Sequence, residues 1–104
     1  MTLKELVSIL RQSGYPVAYS HFDNPQEFPY ITYLTALSNN FHADDSVYQK
    51  VDTVQIELYT DKKDLQAENT VEQLLNENNL SYEVTENYID TERMFQRIYE
   101  TGVI

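Results

Sequence analysis

The spacing of apolar residues along this chain changes several times, and each change marks an element. Between Thr2 and Ser13, Leu3, Leu6, Val7 and Leu10 recur every three or four positions, while Lys4, Arg11 and Gln12 fall on the opposite side. That is the stripe of an amphipathic helix. Thr2 followed three residues later by Glu5 forms a capping box that satisfies free amides at the helix start. Gly14 supplies the left-handed stop and Pro16 forbids continuation. Val17 to Ser20 reads as a short strand. His21 to Pro29, with Asp23, Asn24, Pro25 and Pro29, reads as a loop.

The period then shortens to two. Tyr30 to Leu37 is a strand apolar on both faces, with Ile31, Tyr33 and Leu37 on one side and Tyr30, Leu34 and Ala36 on the other. Such a strand is central in a covered sheet or is covered later by another subunit. Ser38 to Gln49 is a polar connection, too long for a tight hairpin and of a length that usually carries function or motion. Lys50 to Thr60 alternates cleanly, Val54, Ile56 and Leu58 pointing one way and Thr53, Gln55, Glu57 and Tyr59 the other.

Asp61-Lys62-Lys63-Asp64 turns into a second helix, Asp64 to Asn78, with Asp64 as N-cap and Glu68 and Glu72 toward its start. Ala67, Val71, Leu74, Leu75 and Asn78 keep the helical period, so this stripe lies on the sheet. Leu80 to Tyr88 alternates again, with Leu80, Tyr82, Val84 and Tyr88 inward and Ser81, Glu83, Thr85 and Asn87 outward. After the turn Asp90-Thr91-Glu92, the segment Arg93 to Val103 fits either period. Met94, Phe95, Ile98 and Tyr99 would make a helical stripe, but the β-branched tail Ile98, Thr101, Val103 and Ile104 with Gly102 favours a strand. The element order, α-β-β-β-α-β-β, predicts one α+β domain over residues 1–104. Its sheet is antiparallel or mixed, with both helices packed on one face.

Charge narrows the partners. Seven Lys and Arg stand against seventeen Asp and Glu, a net charge of −10, and Lys62-Lys63 is the one cationic cluster. Binding to free nucleic acid through its phosphates is therefore not expected. The acidity serves solubility, or makes a surface that repels DNA or delays self-association. There is no cysteine, hence no disulfide and no thiolate chemistry. No apolar run approaches the roughly 20 residues of a membrane span. Met1 to Glu5 has neither the basic opening nor the apolar stretch of a signal peptide, so the expectation is a soluble chain made in the cytosol, with no membrane partner. Nine tyrosines without a tryptophan suit strand surfaces that meet a protein partner, although tyrosine is also simply a good strand former.

Candidate chemistry is sparse. The chain has no Gly-rich phosphate loop and no Gly-x-Ser-x-Gly elbow. His42-Ala43-Asp44-Asp45 is a His/carboxylate cluster, but the two adjacent Asp residues cannot both point inward and a third ligand is missing. It reads as a solvated loop, as does His21 with Asp23; Glu83, Glu86 and Asp90 read as solvated surface. We expect no catalytic residue, no metal and no cofactor, and a chain that is not an enzyme.

Several segments together resemble the tail-completion or tail-terminator proteins of long-tailed phages and of prophages. They are Gly14-Tyr15-Pro16-Val17 after the first helix; Phe28-Pro29-Tyr30-Ile31-Thr32-Tyr33 opening the second strand; and Asn40 with Ala43-Asp44-Asp45-Ser46-Val47-Tyr48. Ile56-Glu57-Leu58-Tyr59-Thr60-Asp61-Lys62-Lys63-Asp64 then enters the second helix, and Glu92 with Met94-Phe95-Gln96-Arg97-Ile98-Tyr99-Glu100 falls in the closing strand. Taken in order, they span nearly the whole chain.

The resemblance implies a virion structural protein. It would form a ring, commonly of six copies, that caps the head-proximal end of the tail tube, ends tube polymerisation and joins the head connector. Its partners would be further copies of itself, the tail tube protein and the neck; DNA would pass through the channel without specific binding. The protein would reside in the virion, at the head–tail joint, and in the host cytoplasm during assembly. Expected subunit contacts are the tyrosines taken as exposed, Tyr30, Tyr33 and Tyr59, together with Phe95 and Tyr99. The connection carrying Phe41, Asp44, Asp45 and Tyr48 would reach a neighbour, with Asp44 and Asp45 toward the channel. The nearest rival is another neck role, a head–tail connector or a minor tail protein. A rival of a different class is a stand-alone adaptor using the tyrosine-rich sheet as its platform.

Overall fold

The computed structural model describes residues 1–43 and 46–103, and side chains from 37 to 51 lie outside the described set. The elements are α1 (Leu3–Arg11), β1 (Val17–Tyr19), β2 (Tyr30–Ala43), β3 (Ser46–Thr60), α2 (Leu65–Glu77), β4 (Glu83–Ile89) and β5 (Met94–Val103). All five strands join one sheet in the order β1-β2-β3-β5-β4. β1 runs parallel to β2 and every other pairing is antiparallel, so the sheet is mixed.

Both helices pack on the same face of that sheet. Leu6 and Leu10 of α1 and Val71 and Leu75 of α2 meet Ile31, Val54, Ile56, Leu58, Tyr99 and Val103, all buried. Full burial of such a side chain contributes about 1.5–3 kcal/mol, which fixes the helices to the sheet. The ends are local chemistry. Thr2 Oγ1 accepts from the Glu5 amide at 3.2 Å, and Asp64 Oδ1 accepts from the Ala67 amide at 3.0 Å. Gly14 (φ +83°) and Asn79 (φ +58°) leave the helices through left-handed conformations. No helix among the described residues is long and apolar enough to cross a membrane.

Residues 94–103 form a strand, the preferred of the two sequence readings. β5 lies between β3 and β4, and its burial alternates over Tyr99, Thr101 and Val103 with exposed Glu100 and Gly102 between. A helix would have buried every third or fourth residue.

Three expectations are corrected. Ser38 to Gln49 is not a connection: its backbone continues β2 and β3 as one long antiparallel hairpin, with pairing followed as far as Ala43 opposite Ser46. Polarity misled here because a two-stranded ribbon needs backbone partners rather than an apolar face. A register shift between Thr35 and Leu37 also breaks the alternation that had grouped Leu37 with Ile31 and Tyr33. Finally, Val84 and Tyr88 are 40% and 50% exposed: β4 begins at Glu83 and is an edge strand at the rim of the sheet.

The hairpin sets the molecule's shape. The last β3–β5 pair among the described residues is Asp52 with Val103, so the pairs from Asn39 with Val51 to Ala43 with Ser46 form a two-stranded ribbon there. At about 3.3 Å per residue this ribbon projects about 20 Å beyond the sheet. The extents are 50 × 29 × 23 Å and the radius of gyration is 14.8 Å, against about 13 Å for a compact chain of this length.

Candidate interaction surfaces

The face of the sheet away from the helices carries an aromatic ladder. Tyr30 and Tyr59 are cross-strand partners on β2 and β3, and their rings stack at 4.9 Å and 23°. Phe28 stacks on Tyr30 from the loop at 5.5 Å, and Phe22 meets its edge at 5.6 Å. Tyr30 Oη donates to Met94 Sδ at 3.7 Å. Burial first, then Tyr59 and Glu92 nearby, raises the Tyr30 phenol above its ordinary range.

Beneath the ladder lies a closed polar network. Thr32 Oγ1 donates to Glu57 Oε1 at 2.9 Å, and Gln96 Nε2 donates to Glu57 Oε2 at 2.9 Å and to Tyr59 Oη at 3.0 Å. Thr32 and Glu57 are almost fully buried, at 2% and 7% exposure. A groove of about 460 Å³ remains between that loop and Tyr30, Tyr59, Ile89 and Met94. Among the described residues no buried side-chain polar atom lacks a hydrogen-bond partner, so this network holds the sheet together and orients the ladder.

A second constellation sits on the helix side, where α2 crosses β5 and β4. Arg97 Nε lies 3.4 Å from both Glu68 and Glu72, its Nη1 lies 3.3 Å from Glu86, and its Nε donates to Tyr99 Oη at 3.0 Å. Lys63 closes the cluster at 2.8 Å from Glu68 and 3.0 Å from Glu86. Tyr99 Oη donates to Glu72 at 2.7 Å. Burial, then the Glu72 carboxylate, pushes the Tyr99 phenol well above its usual range. Hydrogen bonds from Lys63, then Arg97, hold Glu86 below the ordinary carboxylate range, despite the opposing effect of burial. Bonds to Glu68 and Glu86 raise Lys63.

These shifts predict how stability follows pH. Glu86 is depressed in the folded state, so the unfolded chain binds more protons near pH 4.5 and stability falls as pH drops through the folded value. Lys63 and Tyr99 are raised, so their contribution is complete below about pH 10 and is lost above it. A plot of Tm against pH should be flat between about 5 and 10 and fall on both sides. Glu86→Gln should flatten the acid limb; an unchanged limb would show that other carboxylates set it.

The site residues expected from sequence divide among several places. Tyr30 and Tyr59 come together, half-buried, on the face away from the helices. Tyr33 is on the helix face, packed on the core and edge-on to Tyr19 at 5.2 Å. Phe95 also lies on the helix side, edge-on to Tyr88 at 4.9 Å. Tyr99 is corrected outright: it is 0% exposed, the largest fully buried side chain of the core, and is not available as a contact. Arg97 and Thr101, two residues to either side, share the helix face with it.

Phe41 and Tyr48 lie on the ribbon with side chains outside the described set; Asp44 and Asp45, and with them the His42 cluster, fall outside the described residues. His21 and Asp23 approach to 3.5 Å in an exposed loop. Among the described residues no three His, Cys, Asp or Glu side chains converge as metal ligands would. The Arg97 cluster went unread because its members come from a turn, a helix and two strands, which no local pattern links.

Compared with known proteins, the chain matches no protein-family model, and no curated protein matches its sequence.

Proposed function

We propose that this chain is a structural protein of a long-tailed phage particle, encoded by a phage or a prophage. It closes the head-proximal end of the tail tube as a ring, ends tube growth and makes the joint to the head connector. The observation that carries this reading is the β2–β3 ribbon. Among the described residues five cross-strand pairs, from Asn39 with Val51 to Ala43 with Ser46, join β2 and β3 beyond the last β3–β5 pair, and an isolated two-stranded ribbon is marginal in water. A projection of this kind gains its stability from a neighbour, which suits an arm reaching across a ring. The segments that resemble tail-completion proteins run through this ribbon and the strands at its base. The net charge of −10 suits a wall along which DNA slides.

The test is a capping reaction. Purified chain added to polymerising tail tube protein should stop growth, and negative-stain images should show tubes of limited length with a ring at one end. A variant in which residues 38–51 are replaced by Asn-Gly should stay folded, since the ribbon's backbone pairs lie beyond the last β3–β5 pair, Asp52 with Val103. It should no longer cap. Tubes that grow equally long with the unaltered chain would exclude the capping role.

A further inference from the structure

Both helices pack on one face of the sheet, and the opposite face carries acid without base. Along β3 from Thr53 to Tyr59 and along β4 and β5, the residues on that face include Glu57, Glu83 and Glu100 and no Lys or Arg. Lys63 and Arg97, which balance Glu68, Glu72 and Glu86, belong to the helix side. Glu57 shows the imbalance best. It is 7% exposed, and its oxygens take bonds only from the neutral donors Thr32 and Gln96. No cation among the described residues pairs with it.

The groove of about 460 Å³ beside the aromatic ladder lies on this face. Thr32 is part of its lining and donates to Glu57, so that carboxylate sits just behind the wall. Asp23 lines the groove directly, and Glu92 is near enough to act on the Tyr30 phenol. No Lys or Arg lines it, and its His21 already faces Asp23 at 3.5 Å. The apolar part of the wall is Tyr30, Tyr59, Ile89 and Met94, all half-buried. Tyr59 stacks one face on Tyr30 and meets no aromatic ring with the other among the described residues. No described cation lies over either ring, in contrast to Arg97 over Tyr99.

We propose that this groove binds an arginine side chain of a partner protein, presented on an exposed segment. The guanidinium stacks on the open face of Tyr59 with its edge toward Asp23 and Glu92, and its stem lies along Ile89 and Met94. Glu57 adds negative potential that no side chain of this face offsets. Arginine suits the site better than lysine, because its planar, weakly hydrated and always charged head stacks on aromatic faces. The contact is independent of the capping role.

The test titrates the full chain with acetyl-Gly-Arg-Gly-amide and follows the NMR signals of the Tyr30 and Tyr59 rings and the Met94 methyl. The arginine peptide should move all three. The same peptide with citrulline, which keeps the shape and lacks the charge, should bind at least about tenfold more weakly, with lysine between them. Tyr59→Leu leaves every charge in place and should weaken the arginine peptide at least about fivefold. Asp23→Asn with Glu92→Gln alters two exposed positions and should weaken it about threefold. Thermal melts confirm that each variant folds.

Citrulline or lysine peptides that bind as tightly as arginine would overturn the assignment, as would shifts away from the groove or none at all. Either variant binding unchanged would do the same, since a chain of charge −10 would then be collecting cations at large. Tyr30 and Tyr59 signals that move on dilution of the chain alone would give the groove to a second copy and overturn the foreign partner. A chain that binds the arginine peptide in the groove yet never caps a tube keeps this site and loses the capping role.

Discussion

Replacing Arg97 with alanine should lower stability by about 2–4 kcal/mol, seen as a fall in Tm of roughly 10–25 °C. The guanidinium is the hub on which Glu68, Glu72 and Glu86 converge. The Glu68 side chain is 9% exposed and that of Arg97 21%, so removal strands carboxylates in a poorly solvated space with Lys63 alone to balance them. Breaking a fully buried pair from one side costs about 3–5 kcal/mol; the partial exposure of Arg97 and the presence of Lys63 set the lower figure. Arg97→Lys should recover less than half of the loss, because an ammonium lacks the planar fork that reaches several carboxylates and the Tyr99 hydroxyl at once. Adding Glu68→Gln and Glu72→Gln to Arg97→Ala should restore part of it, since the stranded charge is then gone. If Arg97→Ala melts within a degree or two of the unaltered protein, the cluster is surface decoration.

Tyr99→Ala should be the more damaging change, at about 3–5 kcal/mol. The ring is fully buried between the sheet and α2, edge-on to Tyr82 at 5.4 Å, with Arg97 Cζ 5.6 Å above it. Its hydroxyl donates to Glu72 and accepts from Arg97. Truncation opens a cavity and removes both bonds. A domain of this size has a total stability of only about 5–15 kcal/mol, so the variant should be partly unfolded at 37 °C. Tyr99→Phe keeps the ring and loses the bonds, at about 1–2 kcal/mol. Urea titration reads both. A Tyr99→Ala chain with an unchanged midpoint but impaired association would return Tyr99 to the surface.

What was legible in the sequence follows from how local each signal is. The caps at Thr2 and Asp64, the stop at Gly14 and the alternation of Val54, Ile56 and Leu58 are set within a few residues, and the structure has them where the pattern puts them. The β-branched content of residues 94–103 predicts a strand, and β5 is an inner strand of the sheet. Burial at Tyr99 and exposure at Val84 and Tyr88 were not legible, since they depend on which strand lies at the rim and where α2 crosses. The ribbon was hidden because backbone pairing leaves no mark on side-chain polarity in a segment such as Ser38-Asn39-Asn40. Of the candidate surface, the sequence showed tyrosines in strands. Only the register shows that Tyr30 and Tyr59 are cross-strand partners, and that Glu83 faces Glu100.

The position of β5 has a consequence for synthesis. β4 joins the sheet only through β5, which follows it in the chain and must insert between β4 and β3. While β5 is still within the ribosome, α1, β1, β2 and β3 can already be in place, but β4 has nothing to pair with and its edge does not exist. Pairing of β4 therefore waits on β5, and in refolding followed by hydrogen exchange the amides of β4 should become protected no earlier than those of β5.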